Sequence, residues 1–192
     1  VSFSLKPGDK LALIGEDDIA KTKFLEILAG KETKFTGSFK WGSTIKPEYF
    51  PSDNSDYFKE DMQMIDWLRL WPIENETEER KDISDQRMRA FLGKMLFSGD
   101  SVFKNVKNLS GGEKARLMFS RMMLIDSNAI IFDQPLDHLD TESIDAVIES
   151  INKYNSVAIF TTYNRALIKE SNVILELKDN SSFIFRGKLD EY

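Results

Sequence analysis

Residues 11–30, "LALIGEDDIAKTKFLEILAG", carry the pattern that decides the fold. A short apolar run ends at Gly15, a polar loop follows, and the apolar residues after Lys21 recur at helical spacing. Gly15, Lys21 and Thr22 have the spacing of the phosphate-binding loop (P-loop) pattern G-x-x-x-x-G-K-[ST]. The segment therefore predicts a strand, a P-loop and a helix, which is the context in which such a loop holds a phosphate.

Four residues of the same loop are unfavourable for phosphate binding. Ala20 stands where the pattern has its second glycine, and an alanine with a positive φ adds on the order of 1 kcal/mol of strain. Glu16, Asp17 and Asp18 place carboxylates in a loop that would hold an anion. Two unit charges about 5 Å apart interact by roughly 3 kcal/mol at an effective dielectric near 20. We therefore expect weakened phosphate binding, unless Asp17 and Asp18 turn outward to solvent.

Three further motifs follow in order along the chain. "LSGGE" at 109–113 predicts a glycine turn that leads into a helix, where Ser110 and the helix amides face an anion; an ordinary helix cap is the alternative. "AIIFDQP" at 129–135 predicts an apolar strand that carries Asp133 to its end, where it can hold Mg²⁺, although such a strand can also end in a solvated aspartate. "LDHLD" at 136–140 comes directly after it.

This order resembles the ATP-binding cassette (ABC) family over nearly the whole chain. "LSGGEK-R", "P--HLD--SI" and "YFPSDNSDYF" resemble the second cassette of the soluble ABC-F branch, the translation-associated ATPases. The resemblance implies an α/β fold with a P-loop NTPase (RecA-like) core and a mostly parallel sheet, an antiparallel β lobe and a helical lobe that carries the signature "LSGGE". It also implies ATP and Mg²⁺ as cofactors, with ATP held between two cassettes.

The predicted organisation is a single nucleotide-binding domain. Residues 1–58 and 126–192 are expected to form the core and the β lobe, and residues 59–125 the helical lobe. Within these, 35–50 alternate between apolar and polar residues and predict antiparallel strands. Residues 72–82 are a polar connector, and Ser84 is a plausible N-cap for the helix that follows.

The resemblance also implies which residues bind nucleotide and metal. Lys21 falls on the phosphate-binding lysine, Thr22 and Asp133 on the Mg²⁺ ligands, and Asp137 on an asparagine that faces the partner cassette. The full implied nucleotide-binding set is Gly15, Asp17, Asp18, Ala20, Lys21, Thr22, Lys23, Ser110, Gly111, Gly112, Glu113 and Asp137.

Three positions that the family uses for hydrolysis carry other residues. The catalytic glutamate falls on Gln134, the switch histidine on Tyr163, and the Q-loop glutamine on Ser52. Glutamine cannot accept a proton from water, and the loss of a general base costs about 10²–10⁴ in rate. We predict weak or absent ATP binding, negligible hydrolysis, and a cassette that acts by pairing. Natural and deliberate substitution both fit these changes.

Composition limits the partners. The net charge of −6 argues against direct nucleic-acid binding by this domain, and no apolar run is long enough to span a bilayer. The chain has no cysteine and a single histidine, so it has few ligands for a soft metal ion. We expect a cytoplasmic domain that pairs with a second cassette, in the same chain or as a homodimer, with the ribosome as a candidate target. The alternatives are a cassette that binds and traps ATP, and the cassette of a membrane transporter.

Overall fold

The computed structural model describes residues 1–71, 85–125, 127–179 and 181–192, which include a six-stranded sheet. The strands are β1 (Lys10–Gly15), β2 (Pro47–Phe50), β3 (Ala129–Phe132), β4 (Val157–Thr161), β5 (Val173–Lys178) and β6 (Ser181–Arg186). Their order in the sheet is β2-β3-β4-β1-β5-β6, and every neighbouring pair is parallel except β5 and β6. The predicted α/β class with a mostly parallel sheet is confirmed. Parallel strands end at one edge, which brings together the residues that follow β1, β3 and β4.

Helices separate most of these strands along the chain. They are α1 (Asp18–Leu28), α2 (Met64–Arg69), α3 (Asp85–Lys94), α4 (Gly111–Leu124), α5 (Thr141–Lys153) and α6 (Arg165–Lys169). Helices α2, α3 and α4 follow one another between β2 and β3. Helix α1 begins at Asp18, three residues earlier than predicted, and therefore inside the P-loop pattern. The predicted connector at 72–82 and the predicted N-cap Ser84 lie outside the described residues.

The antiparallel part of the sheet is not where the alternating segment at 35–50 placed it. Only Pro47–Phe50 of that segment forms a strand, and it pairs parallel with β3. Residues 33–40 are all exposed, so alternation there has no buried face against which strands could pack. The antiparallel pair is instead the C-terminal hairpin of β5 and β6.

The chain divides into two compact units. The sheet unit comprises Val1–Ser52, Ser127–Leu136 and Ile148–Tyr192, and the helical unit comprises Asp53–Asp126 and Asp137–Val147. The predicted helical lobe, 59–125, falls within the first segment of the helical unit. The sheet unit is held by apolar side chains from neighbouring strands and from α1, among them Leu11, Leu13, Leu25, Ile131, Ile159, Val173 and Leu175.

The helical unit has its own apolar core. Trp67 is 1% exposed, its ring lies 5.0 Å from that of Phe58, and its indole N–H donates to the Tyr57 carbonyl at 2.7 Å. Burial of an aromatic side chain with its polar atom satisfied contributes strongly to stability. Leu117 and Met118 of α4 are fully buried, so the helix that follows the signature is anchored by its apolar face.

Candidate functional site

The P-loop begins at a glycine that no other residue can replace without strain. Gly15 ends β1 with φ +150°, and a Cβ atom built there would lie 2.5 Å from the Leu177 carbonyl oxygen on β5. The chain therefore leaves the sheet at the position predicted for the first glycine of the loop. Both the backbone conformation and the close approach of β5 require glycine there.

Asp17 caps the helix that the loop leads into. Its carboxylate accepts a hydrogen bond from the Ala20 N–H at 3.0 Å, and its carbonyl accepts from the Lys21 N–H at 3.1 Å. Ala20 consequently lies inside α1 and is absent from the residues with positive φ in the described chain, so the predicted strain at this alanine was wrong. In a P-loop these amides face a phosphate. Here one of them faces a carboxylate of the loop itself.

The Lys21 ammonium is enclosed by acceptors from its own chain. Lys21 is 3% exposed, and its Nζ lies 2.8 Å from Asp18 Oδ1, 2.9 Å from the Gly15 carbonyl oxygen and 3.5 Å from the Tyr163 hydroxyl. The same nitrogen lies 4.6 Å from the centre of the Tyr163 ring, a cation–π distance. The structure thus brings Lys21 together with two positions where the sequence departs from the family.

Asp18 and Tyr163 also bond to each other. The Tyr163 hydroxyl donates to Asp18 Oδ1 at 2.6 Å. The pKa of Asp18 is lowered, first by its hydrogen bond from Lys21 and then by the one from Tyr163. The pKa of Tyr163 is raised, chiefly because an ionised phenol would lose its hydrogen bond to the Asp18 carboxylate. Asp18 is therefore a carboxylate and Tyr163 a neutral donor over the ordinary pH range.

Thr22 and Asp133, the two residues predicted as metal ligands, are hydrogen-bonded to each other. The Thr22 hydroxyl donates to Asp133 Oδ2 at 2.7 Å, and the Thr161 hydroxyl donates to Oδ1 at 2.8 Å. Asp133 is 1% exposed, so this pair of hydrogen bonds satisfies a deeply buried carboxylate. Thr161 was missed from the sequence, where it reads as the last residue of an apolar strand.

These oxygen atoms fit Mg²⁺. A carboxylate and a hydroxyl are hard donors of the kind that Mg²⁺ uses, with nucleotide phosphates and water completing its six positions. No group of three or more acidic, histidine or cysteine side chains that could hold a metal occurs among the described residues. Thr22 and Asp133 would hold the ion, which supplies charge neutralisation at the phosphate oxygens when bound.

The positions predicted for hydrolysis lie near the same edge of the sheet unit. Gln134 follows Asp133 with φ +49°, and its N–H donates to the Thr161 hydroxyl at 2.9 Å. Ser52 is exposed two residues beyond β2. Lys23, which was predicted to bind nucleotide, is exposed on α1. Its ammonium pairs with Glu26 at 2.7 Å, away from the contacts of Lys21.

The signature segment forms a closed cap at the start of α4. The Ser110 hydroxyl accepts from the Glu113 N–H at 3.2 Å, and the Glu113 carboxylate accepts from the Ser110 N–H at 3.0 Å. Lys104 Nζ lies 2.6 Å from the second Glu113 oxygen. Burial raises the pKa of Glu113, but the hydrogen bonds from Lys104 and from the Ser110 N–H outweigh it, so the pKa is lowered. Glu113 therefore stabilises the cap as an anion.

A pocket of about 410 Å³ opens beside this cap within the helical unit. A Cβ atom on Gly112 would lie 2.7 Å from the His138 carbonyl oxygen, so glycine is needed for this approach. His138 itself has φ +65°, while Asp137 is exposed beside it. Arg116, which was not predicted, contributes the pocket's guanidinium. The lining residues are Ser110, Gly111, Gly112, Glu113, Arg116, His138, Asp140 and Ser143.

Comparison with curated proteins finds relatives that match the whole chain. A family model described as "ABC transporter" matches residues 1–137. Over its whole length, this chain is 38% identical to the "Uncharacterized ABC transporter ATP-binding protein YkpA" of Bacillus subtilis (strain 168). It is 28% identical to "ABC transporter F family member 5" of Arabidopsis thaliana. The chain covers 35% and 27% of these two relatives, which is about a third of their length or less.

Solved structures share the fold. The chain superposes on the MJ0796 ATP-binding cassette, solved as a dimer bound to ADP and Pi, with a TM-score of 0.71 at 16% identity, covering 96% of this chain and 89% of that one. It also superposes on the archaeal ribosome recycling factor aABCE1, solved with a ribosomal stalk protein, with a TM-score of 0.74 at 22% identity, covering 97% of this chain and 36% of that one. None of the helices in the described ranges is both long and apolar enough to cross a bilayer.

Proposed function

The chain belongs to the ABC transporter family of ATPase domains, and from that premise we propose an ABC-F-type cassette that binds ATP poorly, hydrolyses little or none, and acts by pairing with a second cassette. ATPase domains of this family bind ATP, generally with Mg²⁺. The observation that carries the proposal is the 2.8 Å ion pair between Asp18 and the P-loop lysine Lys21.

Weak ATP binding follows from the charges in the loop. A phosphate must displace the Asp18 carboxylate from Lys21. The displaced carboxylate then remains close to the bound phosphate. Two such charges about 5 Å apart repel by roughly 3 kcal/mol at an effective dielectric near 20. Because the Asp18 side chain is 57% exposed, solvent screening reduces that figure. A loss of about tenfold or more in affinity remains the expectation.

Low hydrolysis follows from the side chains around Asp133. Gln134 occupies the position of the general base but has no basic oxygen to take a proton from water. The Tyr163 hydroxyl, at the switch position, donates its proton to Asp18 instead of facing a phosphate. Ser52 is too short to reach across to the metal ligands. These three replacements support a site whose Mg²⁺ ligands persist without the groups that activate water.

Pairing is supported by the signature pocket. The helix start that a partner's nucleotide would contact is built as a regular cap, and Gly111 and Gly112 line the pocket beside it. The first-turn amides of a helix have no intrahelical partner and are suited to a phosphate. The pocket can therefore complete a nucleotide site whose P-loop belongs to a second cassette. The MJ0796 cassette, which shares the fold, was solved as a dimer bound to ADP and Pi.

The proposed work is translation-associated. The support is the likeness to a member of the F family and the fold shared with a ribosome recycling factor. The relatives are about three times as long as this chain, which leaves room for a second cassette in such proteins.

A second candidate is a cassette that binds ATP and traps it unhydrolysed. The observation in its favour is the intact pair of Thr22 and Asp133, 2.7 Å apart, which can still hold Mg²⁺. In that case Gln134 would arrest the bound nucleotide, and Asp18 would turn away from Lys21. The two candidates differ in whether Mg·ATP binds tightly to the isolated chain.

Pairing can be tested with a thiol probe, since the chain contains no cysteine. Ser110→Cys places a single reactive group at the signature pocket. We expect Mg·ATP at about 10 mM, a concentration that allows for the weak binding proposed for this chain's own P-loop, to slow its maleimide labelling. The protection should appear in this chain alone if it forms a homodimer, or in the full-length protein if a second cassette shares the polypeptide. Lys107→Cys, on an exposed residue outside the pocket lining, is the matched control. Equal labelling of Ser110→Cys with and without Mg·ATP in both preparations would contradict pairing through the signature.

A further inference from the structure

We propose that the Asp18 carboxylate is an internal ligand of the P-loop, which takes the place of a phosphate on Lys21 and is held there by Tyr163. This inference rests on the proposed function, because it takes the loop as the cassette's own nucleotide site. It adds the residues that decide whether that site accepts a phosphate. We call Asp18, Lys21 and Tyr163 the latch.

The Lys21 ammonium is coordinated by oxygen atoms of its own chain. An ammonium group has three protons to donate. Three oxygen atoms surround Nζ: the Gly15 carbonyl at 2.9 Å, Asp18 Oδ1 at 2.8 Å and the Tyr163 hydroxyl at 3.5 Å. With the side chain 3% exposed, solvent has almost no access to it. An incoming phosphate can reach the ammonium only by displacing a member of this set.

The neighbouring carboxylate, Asp17, occupies a backbone amide of the same loop. Asp17 accepts the Ala20 N–H at 3.0 Å, one of the amides that a P-loop presents to a phosphate. Two consecutive acidic residues thus satisfy the two kinds of donor that the loop offers, the ammonium and a backbone amide. Glu16, the third acidic residue, is exposed and forms neither contact.

Tyr163 contacts both members of the ion pair. A half-exposed ion pair such as Asp18 with Lys21 is by itself worth little. Tyr163 adds a 2.6 Å hydrogen bond to the same Asp18 oxygen that Lys21 binds, and its ring lies 4.6 Å from the ammonium. The hydroxyl and the ring therefore fix the carboxylate and the cation from the same side. Phenylalanine would keep the ring and lose the bond to Asp18, so the two contributions are separable.

The latch acts on phosphate and not on the base of a nucleotide. Its release should raise affinity for Mg·ATP and for inorganic pyrophosphate alike, and should leave adenosine binding unchanged. A merely structural disturbance of the loop would not increase affinity for any of them. The gain is therefore a readout specific to the latch.

The experiment uses this chain alone, in four forms: the unsubstituted protein, Asp18→Ala, Tyr163→Phe and Glu16→Ala. Each form is titrated calorimetrically with Mg·ATP and with pyrophosphate. Glu16→Ala is the matched control, since it removes the same charge from the same loop without touching Lys21. We expect Asp18→Ala to bind both ligands about 10- to 100-fold more tightly and Tyr163→Phe about 3- to 10-fold more tightly, with Glu16→Ala within about threefold of the unsubstituted chain.

Each outcome decides the matter. No gain for Asp18→Ala overturns the latch, and an equal gain for Glu16→Ala shows that net loop charge alone controls binding. A gain for Asp18→Ala without one for Tyr163→Phe removes Tyr163 from the latch. Tight binding by the unsubstituted chain would instead contradict the proposed function, so the two failures are distinguishable. Thermal unfolding of each variant confirms that it is folded.

Discussion

Gln134→Glu, introduced together with Asp18→Ala, should raise the single-turnover rate of ATP hydrolysis by about 10²–10⁴-fold over Asp18→Ala alone. The substitution returns a carboxylate to the position that follows Asp133, where it can accept a proton from the attacking water. Thr22 and Asp133 already lie together, 2.7 Å apart, to hold Mg²⁺. The lower end of the range is the expectation, because Tyr163 and Ser52 remain at the other two altered positions.

The measurement is phosphate release with the protein in excess over labelled ATP, at protein concentrations that saturate binding. Gln134→Ala in the same Asp18→Ala background is the control, since it changes position 134 without supplying a base. Its rate should stay at the level of Asp18→Ala alone. A gain below about tenfold for the glutamate would show that the missing base is not what limits hydrolysis in this site.

Gly15→Ala should lower the free energy of unfolding by about 2–4 kcal/mol. The added Cβ would lie 2.5 Å from the Leu177 carbonyl oxygen, in a backbone conformation with φ +150°. To relieve the contact, the loop would have to leave β5 or β1 would have to shift against it. For a domain of this size the change corresponds to a fall of roughly 5–15 °C in Tm.

Gly8→Ala is the matched control for that variant. Gly8 also has a positive φ, +89°, but a Cβ atom there would meet nothing within 4 Å. Only the backbone strain, about 1 kcal/mol, should appear. Calorimetric unfolding of both variants separates the two effects, and equal values of Tm would mean that the close approach of β5 does not contribute.

The motifs sufficed to predict the fold because each one fixes a local geometry. Strand β1 ends at Gly15 and Asp133 directly follows β3, so both residues lie at the same edge of a parallel sheet. Thr22, on the helix after Gly15, then meets Asp133. The segment at 35–50 gave the wrong prediction for the reason that alternation has meaning only where one face is buried. Its residues are exposed or half-buried, except for Tyr49 and Phe50 at the end of β2, which are buried.

The latch was outside the reach of sequence reasoning. Asp18 and Tyr163 are separated by 145 positions, and each looked like an independent loss at its own motif. Nothing in either motif states that one side chain will donate to the other. Thr161 was missed for a similar reason, since a threonine at the end of an apolar strand carries no signal until Asp133 lies beside it. Contacts between loops at one sheet edge require the sheet order, which the sequence does not contain.

The most direct test of the central claim is a calorimetric titration of the unsubstituted chain with Mg·ATP. The ion pair of Asp18 with Lys21 predicts that binding does not approach saturation below about 1 mM, a binding free energy weaker than about −4 kcal/mol. Saturable binding in the low micromolar range would contradict it, and would favour a cassette that holds ATP with the latch open.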